Sequence, residues 1–113
     1  MATKMNDILQ ELNIVLKERR HEDAQSSYVA RLNQLGLDKI LEKIAEESGE
    51  VIIAGKNFET TLDRSAVVGE IADLWFHCMI LLSHLDGDVA EVIDCLQERF
   101  GVSGLEEKAS RRK

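Results

Sequence analysis

The chain has 113 residues, carries a formal net charge of −7 and contains no proline. At about 150 residues per domain, this length predicts one domain spanning residues 1–113, and the hydrophobic content of 44% is that of a folded globular protein. The acidic excess excludes a nonspecific nucleic-acid binder, because neutralising phosphates requires an excess of lysine and arginine.

The N-terminal part of the chain predicts two helices. Between about 6 and 20, apolar residues recur on one stripe at the spacing of an amphipathic helix. A shorter helix over 28–35 follows a polar loop. Ser26 or Ser27 is its predicted N-cap, and Gly36 is expected to end it in a left-handed turn.

Two longer helices are predicted in the middle of the chain, at about 38–55 and 65–85. We expect Gly55 and the two residues after it to end the third helix, with a short loop over 58–64. The fourth helix is the most apolar and is predicted to be central. We interpret three of its large side chains as core residues: Trp75, Phe76 and Met79.

The last predicted helix begins at the capping-box pair Asp88 and Glu91 and runs to Phe100. No strand pattern is present, so the predicted fold class is all-α, a compact helical bundle. The two long helices have apolar residues on nearly all sides, more than a chain of this size can cover. We therefore predict that dimerisation completes the bundle, in a homodimer or a larger homo-oligomer.

The cysteines and the N-terminus indicate a cytoplasmic protein. Cys78 and Cys95 form no CxxC pair, and we interpret both as small core residues in a reducing compartment. No apolar run reaches about 18 residues, so no membrane span is expected. Residues 1–7 lack the apolar segment of a secretion signal.

Five carboxylates form two groups on the long helices: Glu46, Glu47 and Glu50 on the third, and Glu70 and Asp73 on the fourth. Each group lies within about one helical turn, and antiparallel packing would make the two groups face each other. Carboxylates that converge without cations repel one another and tend to be protonated. An oxygen-only set of this kind suits Mg²⁺, or Mn²⁺, rather than Zn²⁺.

The alternative is that the acidic residues only form a solvated face, which is the commoner role of a pair such as Glu46 and Glu47. Two features favour a metal site. Glu70 and Asp73 lie in an otherwise apolar run, where unpaired carboxylates are rare. Gly49 costs a helix about 1 kcal/mol relative to alanine. Its lack of a side chain would allow a helix or a ligand to approach closely.

The pattern Glu-Glu-x-x-Glu followed by Glu-x-x-Asp resembles the signature of the all-α, MazG-like nucleoside-triphosphate pyrophosphatase superfamily. The residues around it are similar to those of the phosphoribosyl-ATP pyrophosphatase family over four stretches: 27–44, 49–57, 70–78 and 99–111. The resemblance covers about residues 8–111. It implies hydrolysis of phosphoribosyl-ATP to phosphoribosyl-AMP and pyrophosphate, the second step of L-histidine biosynthesis. We expect the stand-alone form, without a domain for the following cyclohydrolase step.

On this interpretation the five carboxylates hold Mg²⁺, and Glu47 is our candidate for the general base. His77, one turn after Asp73, is expected to hydrogen-bond a metal-bound carboxylate, although a core histidine is an equal alternative. We expect Tyr28 to stack on or hydrogen-bond to the nucleotide, with packing in the core or at an interface as an equal alternative. Five basic residues are candidate phosphate ligands, and a surface role is as plausible for each: Lys43, Lys56, Arg99, Lys108 and Arg111.

Two other functions remain open. A house-cleaning pyrophosphatase of the same superfamily would act on free or damaged deoxynucleoside triphosphates, and a substrate panel would distinguish it. A non-catalytic helical dimerisation module would release no pyrophosphate and would not be stabilised by Mg²⁺. The carboxylates embedded in the apolar run of the fourth helix favour an enzyme over such a module.

Overall fold

The computed structural model describes the backbone of residues 2–101 and the side chains of residues 7–101. These residues contain helices and no strand, which confirms the all-α prediction. The five α-helices are α1 (Ala2–Arg19), α2 (Tyr28–Leu35), α3 (Leu37–Thr61), α4 (Arg64–His84) and α5 (Val89–Phe100).

The helices α3 and α4 form an antiparallel hairpin joined by only two residues, Leu62 and Asp63. Leu62 has a left-handed backbone with φ of 57°, a conformation that costs a non-glycine residue about 1 kcal/mol. Asp63 caps α4 by accepting a hydrogen bond from the backbone N–H of Ala66 at 3.1 Å. This tight connection sets the two acidic groups on facing helices.

The predicted end of the third helix was wrong. The helix continues through Gly55 and Asn57 to Thr61, so the loop expected over 58–64 shrinks to two residues. An interior glycine costs about 1 kcal/mol but does not break a helix, and packing along α4 supplies the support that local preference lacks.

The predicted caps of the shorter helices are confirmed. The Ser27 hydroxyl accepts a hydrogen bond from the N–H of Ala30 at 3.2 Å at the start of α2. Gly36 ends that helix with φ of 100°, which an L side chain rarely adopts. At the start of α5, Asp88 and Glu91 form a complete capping box.

The buried core lies at one end of the α3–α4 hairpin, where α1, α2 and the start of α5 cover it. Its buried apolar side chains are Leu16, Val29, Leu32, Ile40, Met79, Ile80 and Val89. Between Glu47 on α3 and His77 on α4 no side chain is fully buried. The hairpin therefore has a core half and a distal half that no other described element covers.

Three expectations about buried residues were wrong. Trp75 is 56% exposed, and Cys78 and Cys95 are exposed free thiols. Of the other residues expected in the core, Met79 is buried and Phe76 is half-buried. The exposed side of α4 faces an apolar groove of about 570 Å³ between α4 and α5, which the described part of the chain leaves open.

By length and composition alone, α4 is apolar enough to cross a membrane. This is weak evidence, because helices in the interior of soluble proteins pass the same test. The helix also carries Glu70 and Asp73, whose carboxylates would be costly in hydrocarbon.

Candidate active site

Three carboxylates converge where the hairpin leaves the core. Glu47 from α3 meets Glu70 and Asp73 from α4, and one carboxylate oxygen of each lies within 4.8 Å of the other two. Glu47 is buried, with 7% of its surface exposed, whereas Glu70 is half-buried and Asp73 is exposed. The cluster is therefore closed towards the core and open to solvent on the α4 side.

The cluster has two buried oxygens without partners. Glu47 Oε2 and Glu70 Oε2 accept no hydrogen bond from any described residue. Burial, followed by the nearby charge of Glu50, raises the pKa of Glu47. A side-chain hydrogen bond with Glu50, followed by burial, raises the pKa of Glu70. An unpaired buried acceptor is costly, and these two oxygens have neither a donor nor a cation of their own among the described residues.

The donor set fits a hard divalent cation. Every candidate ligand atom is a carboxylate oxygen, and the two unpartnered oxygens have unused lone pairs. Mg²⁺ and Mn²⁺ prefer such ligands, whereas Zn²⁺ prefers nitrogen and sulfur. The open side at Asp73 leaves room for water or for a phosphate oxygen beside a bound cation.

The two other predicted metal residues lie at the edges of the cluster. Glu46 pairs with the ammonium of Lys43, with 3.3 Å between Nζ and Oε2. The same ammonium lies 3.9 Å from Glu47 Oε1. Glu50 contacts Glu70 and lines a neighbouring groove. The structure thus brings four of the five carboxylates together and turns Glu46 towards Lys43.

The candidate phosphate ligands are not all near this cluster. Lys43 is beside it, as its contacts with Glu46 and Glu47 show. The ammonium of Lys56 instead pairs with Glu59 at 2.9 Å, farther along α3. Arg99 lies in the last turn of α5, a helix that packs on α1 rather than α3. Two further candidates lie outside the described residues: Lys108 and Arg111.

His77 is buried beside the cluster, but its hydrogen bonds differ from our expectation. Its Nδ1 lies 2.7 Å from the backbone carbonyl oxygen of Asp73. Its Nε2 lies 2.7 Å from the hydroxyl of Tyr28. The imidazole therefore contacts the main chain of a predicted metal ligand instead of a carboxylate. Tyr28 lies within the site region, 37% exposed, with the guanidinium of Arg31 above its ring.

A groove of about 290 Å³, lined by both polar and apolar side chains, extends from the cluster towards the hairpin loop. Its residues are Glu50, Ile53, Ala54, Asn57, Thr61, Asp63, Ala66 and Glu70. We did not identify this groove from the sequence, because it forms only when α3 runs on to Thr61. The sequence carries one signal for this groove. Asp63, three residues before Ala66, has the spacing of an N-cap and so indicates where α4 begins.

Gly49 lies next to the cluster, and none of the residues that the structure describes makes the close approach that it was expected to allow. A Cβ atom at Gly49 would have no atom within 4 Å, and the same holds for Gly55 and Gly69. The three helical glycines on the hairpin therefore leave space on its outer surfaces.

Comparison with known proteins places the chain in a family. The family model described as phosphoribosyl-ATP pyrophosphohydrolase matches residues 9–100. The chain belongs to this family. A phosphoribosyl-ATP pyrophosphatase of Hydrogenovibrio crunogenus is 49% identical over 108 residues, covering 96% of each chain. One of Burkholderia cenocepacia is 46% identical over 113 residues, covering all of this chain and 93% of its own length.

The match to the phosphoribosyl-ATP pyrophosphohydrolase family includes the carboxylate cluster and its neighbours but not the candidates Lys108 and Arg111. Residues 9–100 contain Glu47, Glu70 and Asp73, together with Lys43 and His77. The resemblance noted from the sequence is thereby confirmed at the level of the family.

Proposed function

We propose that this protein hydrolyses phosphoribosyl-ATP to phosphoribosyl-AMP and pyrophosphate, the second step of L-histidine biosynthesis, with the help of a divalent cation. The observation that carries the proposal is the converging set of Glu47, Glu70 and Asp73 in a chain of the phosphoribosyl-ATP pyrophosphohydrolase family. A cluster with two unpartnered buried oxygens fits a cation that accompanies a highly charged triphosphate.

The proposed cation ligands are Glu47, Glu70 and Asp73, with Glu46 and Glu50 contributing directly or through water. A bound Mg²⁺, or Mn²⁺, would neutralise charge on the triphosphate and on the leaving pyrophosphate. Without it, five carboxylates would repel the substrate. Lys43 supplies a positive charge at the same position, and its contact with two of these carboxylates orients its ammonium towards the site.

The reaction forms a bond from a water oxygen to the α-phosphorus and breaks the anhydride bond between the α- and β-phosphates. The attacking water must lose a proton, and Glu47 is the proposed acceptor. In the metal-free protein, burial and the neighbouring carboxylates raise the pKa of Glu47.

The decisive experiment is pyrophosphate release with Mg²⁺ from phosphoribosyl-ATP, ATP and the four deoxynucleoside triphosphates. Strong preference for phosphoribosyl-ATP is expected, with loss of activity in EDTA. Preference for a deoxynucleotide would assign the protein to house-cleaning of nucleotides. No release from any substrate, with no stabilisation by Mg²⁺, would indicate a non-catalytic module.

Variants test the residue assignments. Glu47→Gln and Asp73→Asn should abolish turnover while leaving helical circular dichroism unchanged. Glu42→Gln is a matched control, because Glu42 is an exposed glutamate on the same helix whose ion-pair partner among the residues described between 7 and 101 is Lys39, at 3.2 Å. Turnover in both site variants within a factor of about three of the control would refute the metal assignment.

We also propose that the protein works as a homodimer or larger homo-oligomer in the cytoplasm. The uncovered distal half of the hairpin carries exposed apolar side chains, and the α4–α5 groove adds more: Ile52, Ile53, Leu62, Val68, Trp75, Val92 and Leu96. A monomer rarely exposes so much apolar surface. Light scattering at micromolar concentration should give at least twice the chain mass, and a stable monomer would contradict the proposal.

A further inference from the structure

A hydrogen-bonded chain connects the start of α2 to the main chain beneath the acidic cluster. It runs from the Tyr28 hydroxyl through His77 to the carbonyl of Asp73, with both heavy-atom distances at 2.7 Å. The imidazole is 6% exposed and is held edge-to-face between the rings of Tyr28 and Phe76. Both polar atoms of a buried ring are thus paired.

The chemistry of the partners fixes the direction of the bond to Asp73 and, for a neutral ring, the direction of the bond to Tyr28. A carbonyl oxygen only accepts hydrogen bonds, so Nδ1 of His77 carries a proton and donates it to Asp73 O. In the neutral ring Nε2 is then an acceptor, and the Tyr28 hydroxyl must donate to it. Burial raises the pKa of Tyr28, which keeps this hydroxyl protonated.

The backbone of Asp73 lies inside α4 and is held by the helix, whereas no other described side chain holds its carboxylate. Its carboxylate makes no hydrogen bond or ion pair with any described residue, and it is the exposed member of the cluster. Its orientation therefore depends on the backbone that carries it. That backbone is contacted at its carbonyl by the buried imidazole.

We propose that Tyr28 is a positioning residue for the divalent-cation site. By donating to His77, it holds the imidazole against the carbonyl of Asp73 and so fixes the carboxylate that faces Glu47 and Glu70. This inference rests on the proposed function, because it assumes that these carboxylates bind a cation.

A second histidine provides a matched control. His84, two turns farther along α4, donates from Nδ1 to Oδ1 of Asn33 on α2 at 2.9 Å. This pair also joins α2 to α4 through an imidazole, but it touches no carboxylate of the cluster. Removing it should affect the packing of the two helices without affecting the cation site.

The experiment measures binding of Mn²⁺ alone, without substrate, from the electron paramagnetic resonance signal of the free ion. Tyr28→Phe keeps the ring and removes only the hydroxyl, and we expect the dissociation constant to rise about tenfold, as for partners that orient metal ligands. Asn33→Ala should change it less than twofold. Thermal unfolding followed by circular dichroism shows that both variants are compared as folded proteins.

The outcomes separate this inference from the proposed function. Tight Mn²⁺ binding by the natural protein with equal affinity in Tyr28→Phe would overturn the positioning role and leave the cation site standing. No Mn²⁺ binding by the natural protein would overturn both. Equal weakening in Tyr28→Phe and Asn33→Ala would show only general loosening of α2. Nitrogen chemical shifts of His77 showing a proton on Nε2 instead of Nδ1 would also contradict the argument.

Discussion

Replacing Glu47 with glutamine should make the metal-free protein more stable and inactive. The carboxylate is buried, has an unpartnered oxygen, and lies beside three other carboxylates. Glutamine has nearly the same shape, carries no charge, and can donate an amide N–H to a neighbouring carboxylate. The substitution therefore removes repulsion and adds a donor where donors are lacking.

The size of the gain follows from the geometry. Two unit charges 4.8 Å apart, the limit found in the cluster, repel by about 3.5 kcal/mol at an effective dielectric constant of 20 and by about 0.9 kcal/mol in water. Because Asp73 is exposed, the lower value is the better guide. Lys43 keeps its closer partner Glu46 at 3.3 Å, so little attraction is lost. We expect about 1 kcal/mol, or about 4 °C in melting temperature.

The assay is thermal unfolding in EDTA and in excess Mg²⁺, combined with pyrophosphate release. In EDTA, Glu47→Gln should melt above the natural protein, and in Mg²⁺ the order should reverse because the variant lacks a cation ligand. Glu42→Gln should change neither melting temperature by more than about 1 °C. A Glu47→Gln protein that melts lower in EDTA, or that keeps its activity, would refute the reasoning.

Three further predictions concern charge and packing. The raised pKa values of Glu47 and Glu70 mean that the folded, metal-free protein binds more protons than the unfolded chain. Its free energy of unfolding should therefore fall as the pH rises from the ordinary glutamate pKa of about 4.3 through the raised pKa values of these two residues. Thermal unfolding in EDTA between about pH 4.5 and pH 7.5 would show this decrease. A melting temperature that does not change with pH would contradict it. Lys43→Gln should lower kcat/KM about tenfold, which corresponds to about 1.4 kcal/mol. Lys56→Gln should change kcat/KM by no more than about twofold, because the Lys56 ammonium pairs with Glu59. Equal effects of the two substitutions would argue against Lys43 as a phosphate ligand. Ile80→Ala, at a fully buried position, should cost about 3 kcal/mol in urea unfolding, and a loss below about 1 kcal/mol would show that the core packs elsewhere.

Local chemistry predicted the caps of the helices well. Ser27, Gly36 and Asp88 each act within a few residues of their own position, through a side-chain acceptor or a permitted positive φ. The helical periodicity also predicted that α3 and α4 would set two acidic groups face to face, which the convergence of Glu47 with Glu70 shows.

Long-range effects account for the features that the sequence did not predict. The local signal at Gly55 favours a helix end, but packing against α4 carries the helix on to Thr61. The hydrogen bond between Tyr28 and His77 joins residues 49 positions apart, a pairing that no periodicity encodes. Trp75 is predicted to be a core residue because it is apolar. Its observed exposure depends instead on which surfaces the described residues of one chain cover.

The position of the cluster along the hairpin matches what a cation site requires. On the core side, Glu47 and His77 are buried and fixed by packing, so part of the site is preorganised. On the distal side, Asp73 and Glu50 are exposed, so a cation and a triphosphate can enter. A cluster placed deeper would keep its carboxylates protonated, and one placed farther out would lose its fixed geometry. The boundary between the two halves of the hairpin satisfies both demands, and the unpaired carboxylates are the stability cost of that position.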